Sequence, residues 1–170
     1  MLKNFEYDDC YLINDITLDK AFGNIDHIFI SKYGIFIIET KNWDGEIKCN
    51  GDNWSRHYED TLFNLDINSI SKRIKGNARN LRLLVETNLF KNLMTIWVEG
   101  IIVFTNTDAE IRVINPAVPV ITIDEIASYI KKQRCNNIFS SRDLEPKLPE
   151  EWAQSFGASM IFRYYFSYRL

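Results

Sequence analysis

The pattern of apolar and polar positions changes period near residue 67. Before that point, short runs rich in Ile, Phe and other strand-forming residues alternate with Gly- and Asn-containing turns, a pattern of β-strands. Residues 10–18 read as a strand bent near Asn14-Asp15. Ile25-Asp26-His27-Ile28-Phe29-Ile30 and Ile35-Phe36-Ile37-Ile38 flank Ser31-Lys32-Tyr33-Gly34 and predict a β-hairpin. After a turn at Asp44-Gly45, residues 46–49 and 54–58 predict a second hairpin around Asn50-Gly51-Asp52-Asn53. The early chain is thus expected to be a meander of about five strands.

From 67 to 88 the period lengthens. Ile67, Ile70, Ile74, Leu81, Leu84 and Val85 recur at helical spacing, with Gly76 costing about 1 kcal/mol relative to Ala. Residues 97–104 and 111–114 return to strand character. Thr122 with Glu125 three residues later has the form of a capping box and predicts a helix over 123–133. Residues 135–151, with Pro146 and Pro149, read as a surface connection to an aromatic, basic segment, 160–169. Interleaved strands and helices predict an α/β class: a mixed sheet flanked by helices. A core over 1–135 and an extension over 136–170 are expected.

The central hairpin carries charges that nearly all-apolar strands normally exclude. Asp26 stands at the start of its first strand, and Glu39 and Lys41 stand at the end of its second. Alternation directs Glu39 and Lys41 to one face. Two carboxylates from neighbouring strands suit a hard cation such as Mg²⁺ or Mn²⁺, which would activate water toward phosphorus. A lysine on the same face would hold that water or offset charge on the phosphoryl oxygens. A lone Glu-x-Lys triplet usually marks a solvated strand face, and an Asp at a strand start is more often a turn cap. Position at the ends of two apolar strands is what separates this trio from those readings.

Composition adds limits. A chain of 170 residues with 46% hydrophobic content fits one domain with a substantial core. The net charge of −3 exerts no global pull on a polyanion, so any basic surface must be local. One candidate is the stripe Lys72, Lys75, Arg79 and Arg82, which either tracks a phosphate backbone or is a solvated helix face. Cys10, Cys49 and Cys135 show neither metal-ligand nor disulfide spacing and read as structural thiols. No apolar run approaches the roughly 20 residues of a membrane span, and the first residues lack the apolar core of a secretory signal. A cytoplasmic location is expected. His27 is expected to point away from Asp26 and pack or cap, and Trp43 to pack across its turn.

The block Gly23-Asn24-Ile25-Asp26-His27-Ile28 followed by Gly34-Ile35-Phe36-Ile37-Ile38-Glu39-Thr40-Lys41-Asn42-Trp43-Asp44-Gly45 resembles the signature of the nuclease-related domain (NERD), within the PD-(D/E)xK nuclease superfamily. The resemblance extends to Asn14-Asp15-Ile16-Thr17-Leu18, Trp54 and Gly100-Ile101-Ile102-Val103-Phe104. It implies a restriction-endonuclease-like mixed β-sheet core flanked by helices. It also implies metal-dependent hydrolysis of DNA through Asp26, Glu39 and Lys41, with RNA in place of DNA as the open alternative. The metal, Mg²⁺ or Mn²⁺, would sit on Asp26, Glu39 and the Thr40 carbonyl.

The chain departs from the family pattern twice. Members commonly carry a Gly-Glu pair on a first helix, whereas the early acids here, Glu6, Asp8 and Asp9, show no helical pattern. The third acid is expected to be absent or to come from another chain. Where the family often has Asn-Pro then Gln, this chain has Asn68-Ser69-Ile70-Ser71-Lys72. The alternative function is therefore a nuclease-fold module that binds nucleic acid or assembles with a partner without cutting. The aromatic tail would be a buried element, a homodimer or protein interface, or a nucleic-acid contact.

Overall fold

A computed structural model of the chain describes residues 10–18, 23–64, 69–88 and 97–133. Two sheets form. The first has the order β1-β2-β3-β7-β9, built from Cys10–Ile16, Ile25–Ser31, Gly34–Lys41, Val98–Phe104 and Val120–Thr122. β1, β2 and β3 run antiparallel, while β3, β7 and β9 run parallel. The second sheet has the order β6-β5-β4-β8, with β4 at Glu46–Asn50, β5 at Asn53–Tyr58, β6 at Thr61–Asn64 and β8 at Glu110–Ile114. The helices are α1, Ile70–Asn88, and α2, Ile126–Lys132.

β3 is central because its residues can be buried on both faces. Ile35, Phe36, Ile37 and Ile38 are at most 3% exposed, the near-continuous apolar run that a strand in a two-sided parallel pair requires. Odd and even positions feed different cores. Ile35 and Ile37 join Ile74, Leu81 and Val85 of α1 and Ile47, Cys49 and Trp54 of the second sheet. Phe36 and Ile38 join Phe29, Ile101 and Val103 beneath Ile126 and Ile130 of α2. The first sheet therefore carries α2 on one face and α1 with the second sheet on the other. Truncating a buried aromatic such as Phe36 to Ala would cost on the order of 3–5 kcal/mol.

α1 lies against β7 at a point that only glycine permits. A Cβ on Gly100 would stand 2.8 Å from Ile74 Cγ1. At its start, Ser69 Oγ accepts the Lys72 N–H at 3.4 Å and donates to the Asp52 carbonyl at 2.6 Å, so Ser69 caps the helix and ties it to the β4–β5 turn. Trp54 Nε1 donates to Ser71 Oγ at 2.6 Å in the buried interior, fixing the second sheet to the same helix.

The mixed α/β architecture with flanking helices agrees with the expectation, and the central hairpin and the long helix fall where the pattern puts them. Three details differ. The early chain is not one five-stranded meander but six strands divided between two sheets. The division follows from the parallel pairing of β4 with β8, Glu46 beside Glu110, which joins segments distant in sequence. α2 begins at Ile126 rather than 123. The Glu125 carboxylate accepts both the Thr122 N–H at 2.8 Å and its hydroxyl at 2.9 Å, so Thr122 to Glu125 closes a turn before the helix instead of capping it. The strand over 10–18 ends at Ile16, with its bend marked by Asp15 at φ 57°. Ile67, Cys135 and the extension over 136–170, including the aromatic tail, lie outside the described residues, as do Glu6, Asp8 and Asp9. Among the described residues no helix is long and apolar enough to cross a membrane.

Candidate active site

The charged trio gathers where β2–β3 pairing stops. His27 opposite Ile38 is the last paired position, and beyond it Asp26 replaces the missing ladder partner. Its Oδ2 accepts the Thr40 N–H at 2.8 Å and the Thr40 hydroxyl at 3.1 Å. The N–H and C=O of one strand residue leave the strand on the same side, so the Thr40 carbonyl also points toward the β2 side, beyond the ladder. Asp26 is half-buried, and Glu39 is 3% exposed.

A carboxylate that deep needs compensation, and Glu39 has two cations. Lys41 Nζ donates to Glu39 Oε1 at 2.5 Å, and the Arg73 guanidinium of α1 donates to the same oxygen. Lys41 is held in turn by its surroundings. Its carbonyl accepts the Thr105 N–H at 2.9 Å, and its Nζ lies 5.7 Å from the Trp43 ring centroid. Trp43 packs edge-on against Phe104 at 6.3 Å and carries Arg56 at 5.9 Å, so it belongs to the wall of the site, as its position in the turn predicts.

The sequence pattern alone does not single out Arg73. In α1 it sits beside the buried Ile70, Ile74 and Asn77, on the helix flank toward Glu39, whereas the stripe stands out by its spacing of 3, 4 and 3. At 3.6 residues per turn, Arg73 stands roughly 100–180° around the axis from Lys72, Lys75, Arg79 and Arg82. The stripe therefore lies on the other side of α1 and is not brought to the carboxylates. Lys75 is also engaged, its Nζ lying 2.7 Å from Asp52 Oδ2. A signal that could have found Arg73 is an arginine on the edge of an apolar helical stripe facing a strand that carries an isolated acid.

His27 is directed to the opposite face, with Nδ1 2.7 Å from Asn14 Oδ1. Burial pushes its imidazole below the ordinary histidine value, and the nearby charges of Asp26 and Glu39 oppose that shift. It packs rather than joining the site. Cys49 is a buried thiol, and burial pushes it up to about 11, which keeps it unreactive.

Asp26 Oδ1, Glu39 Oε2 and the Thr40 carbonyl are hard oxygen donors, and the bonds from Thr40, Lys41 and Arg73 fall on the other carboxylate oxygens, Oδ2 and Oε1. That chemistry fits Mg²⁺ or Mn²⁺ and would suit a softer metal poorly. Among the described residues no group of three or more His, Cys, Asp or Glu side chains converges, so the donors they offer a metal are two acids and a carbonyl.

A family model described as nuclease-related domain matches residues 1–105. An uncharacterized protein of Bacillus anthracis is 36% identical over 50 residues, a stretch covering 28% of this chain and 24% of that protein. The aligned part of the chain thus spans about a quarter of that relative's length. No solved structure matches.

Proposed function

The chain belongs to the nuclease-related domain family, whose model covers residues 1–105 of its 170, and from that premise we propose that it is a metal-dependent nuclease hydrolysing phosphodiester bonds in DNA. The observation that carries the reading is the buried Glu39 at the end of the central strand, with Lys41 Nζ 2.5 Å away and Asp26 fixed on Thr40 beside it. Asp26, Glu39 and the Thr40 carbonyl would hold Mg²⁺ or Mn²⁺. When bound, that ion supplies Lewis-acid activation of water and of the phosphoryl oxygen. The Thr40 N–H and hydroxyl orient Asp26. The Lys41 ammonium holds the attacking water or donates to a non-bridging oxygen as charge grows there. Arg73 is a positioning residue: it fixes Glu39 Oε1 and adds positive charge where a phosphate would approach.

The test is cleavage of plasmid and linear DNA in Mg²⁺ and Mn²⁺. Lys41→Ala and Asp26→Asn should each lower the rate at least about 100-fold, the cost of removing one preorganised electrostatic group. An active preparation whose rate survives both substitutions would sink the proposal.

A second reading, a nuclease-fold module that binds nucleic acid or a partner without cutting, is favoured by one observation. Two acids, Asp26 and Glu39, are matched by two cations, Lys41 and Arg73, with no third acid converging among the described residues. It predicts DNA binding in the absence of metal and no nicking at any Mn²⁺ concentration.

A further inference from the structure

The flank of α1 turned away from Glu39 borders an open pocket of about 390 Å³. One wall is Lys75, Arg79 and Arg82, and the other is the start of β7 at Gly100 with Val118 and Pro119. The volume lies in the range of ligand sites. Its cations differ in how far they are already satisfied. Lys75 is bound to Asp52 at 2.7 Å. Arg79 is exposed, and among the described residues no carboxylate lies within ion-pair distance of it. Arg82 has its Nε buried without a hydrogen-bond acceptor, the Glu86 Oε1 standing 3.8 Å away. A buried donor left unmade is costly, and an anion entering the pocket would satisfy it.

The pocket also contains Glu99, but alternation sends that side chain to the α2 face with Ile101 and Val103, where Tyr129 Oη donates to it at 3.1 Å. The carboxyl is thus turned away from the arginines. We propose that this pocket anchors two neighbouring backbone phosphates of nucleic acid, with Arg79 the donor to one and Arg82 the donor to the other. Arginine suits the task because its planar fork meets two phosphate oxygens at once. Arg79 and Arg82 lie six and nine residues beyond Arg73, about 9–14 Å along the axis and on the opposite flank. A strand held here and at the carboxylates would therefore cross the solvent face of α1, where Lys72 is exposed. The anchor deepens the nuclease reading and depends on its nucleic-acid substrate.

The experiment is fluorescence anisotropy of a labelled DNA duplex in EDTA, with the full chain, across a salt series. Replacing both residues (Arg79→Ala with Arg82→Ala) should weaken binding about 10-fold and reduce the slope of log Kd against log salt by about 2, near 0.9 for each phosphate no longer neutralised. Arg79→Lys with Arg82→Lys should keep the slope, which separates an effect of charge from an effect of folding. Arg79→Ala alone removes an exposed side chain and should lower the slope by about 1. Lys75→Ala should change the slope less than Arg79→Ala does. Duplex binding with an unchanged slope in the double variant overturns the anchor while leaving the nuclease reading intact. Absence of duplex binding by the wild-type chain in EDTA overturns the anchor, and the nuclease reading falls with it only if Mg²⁺ and Mn²⁺ also give no cleavage. A thermal shift with a mononucleotide alone that the double variant loses, while duplex binding is unaffected, overturns the backbone assignment in favour of a small-molecule site.

Discussion

Two glutamates stand on adjacent parallel strands of one sheet and receive opposite treatment. Glu39, on β3 beside Ile102 of β7, faces α1 and is almost fully buried. Glu99, on β7 beside Phe36 of β3, faces α2 and is only half-buried. The deeper one has two cations on a single oxygen, Lys41 and Arg73. Among the described residues the shallower one has a phenol and no cation: Tyr129 Oη lies 3.1 Å from its Oε1, and its Oε2 is buried without a partner. Burial pushes the Glu99 carboxyl above its ordinary value, with the Tyr129 hydrogen bond opposing, and burial likewise raises the Tyr129 hydroxyl. Depth alone therefore does not mark a reactive carboxylate. The two differ in the groups set against them: two cations meet Glu39, as burial that deep requires, and they give the proposed site its charge, whereas Glu99 is met by a phenol.

The largest test of that contrast is the same substitution at both positions. Glu39→Gln removes the negative charge that Lys41 and Arg73 answer, leaves two cations facing each other, and deletes a metal donor. DNA cleavage should fall about 10³-fold, and the protein should lose stability as well. Glu99→Gln should leave the rate within about twofold, since nothing at that position touches the reacting atoms. Equal loss from both would dissolve the distinction and reduce Glu39 to another packed acid.

A smaller effect is expected from Arg73→Ala. Glu39 Oε1 would then be held by Lys41 alone, and one positive charge would leave the neighbourhood of the acids. Mn²⁺ should bind several-fold tighter by calorimetry, because a competing cation is gone, while cleavage falls about 10-fold for want of the positioning contact. Arg73→Lys should recover part of both. A merely structural arginine would lower the melting temperature without moving the Mn²⁺ affinity.

The sequence makes Asp26, Glu39 and Lys41 visible for a plain reason: charge at the end of an apolar strand violates a pattern. Period-2 alternation also assigns Glu39 and Lys41 to one face, and the 2.5 Å contact between them follows. Arg73 breaks no local pattern, since a charged residue flanking a helical apolar stripe is ordinary, and only the docking of α1 on β7 at Gly100 brings it to Glu39. The stripe shows the converse. Its spacing is conspicuous, yet a helix has two flanks, and only tertiary packing decides which of them meets the sheet end that carries the acids. The second sheet is hidden for the same reason. Alternation says which face a strand buries but not which strand it pairs with, and the β4–β8 register links Ile47 to Ile111 across the whole of α1 and β7. Glu99 carries no sequence signal of its own inside the apolar strand over 97–104, and only the packing of α2, which brings Tyr129 to it, gives its carboxyl a partner.

The finest test of the comparison is the pH dependence of stability. The Glu99 carboxyl is raised above its reference value of 4.5, burial being the main cause. The folded chain therefore keeps a proton that the unfolded chain has already released. Stability from this group is complete below about pH 4.5 and is lost as pH rises through the folded value. Glutamine holds no proton to lose, yet its Oε1 can still accept the Tyr129 hydroxyl. Melting curves of wild type and Glu99→Gln should nearly coincide near pH 4, then separate as pH rises to about 7, with the variant the more stable. A separation that stays constant over this range would mean that Glu99 does not titrate with folding. The contrast between the two glutamates would then rest on the cations at Glu39 alone.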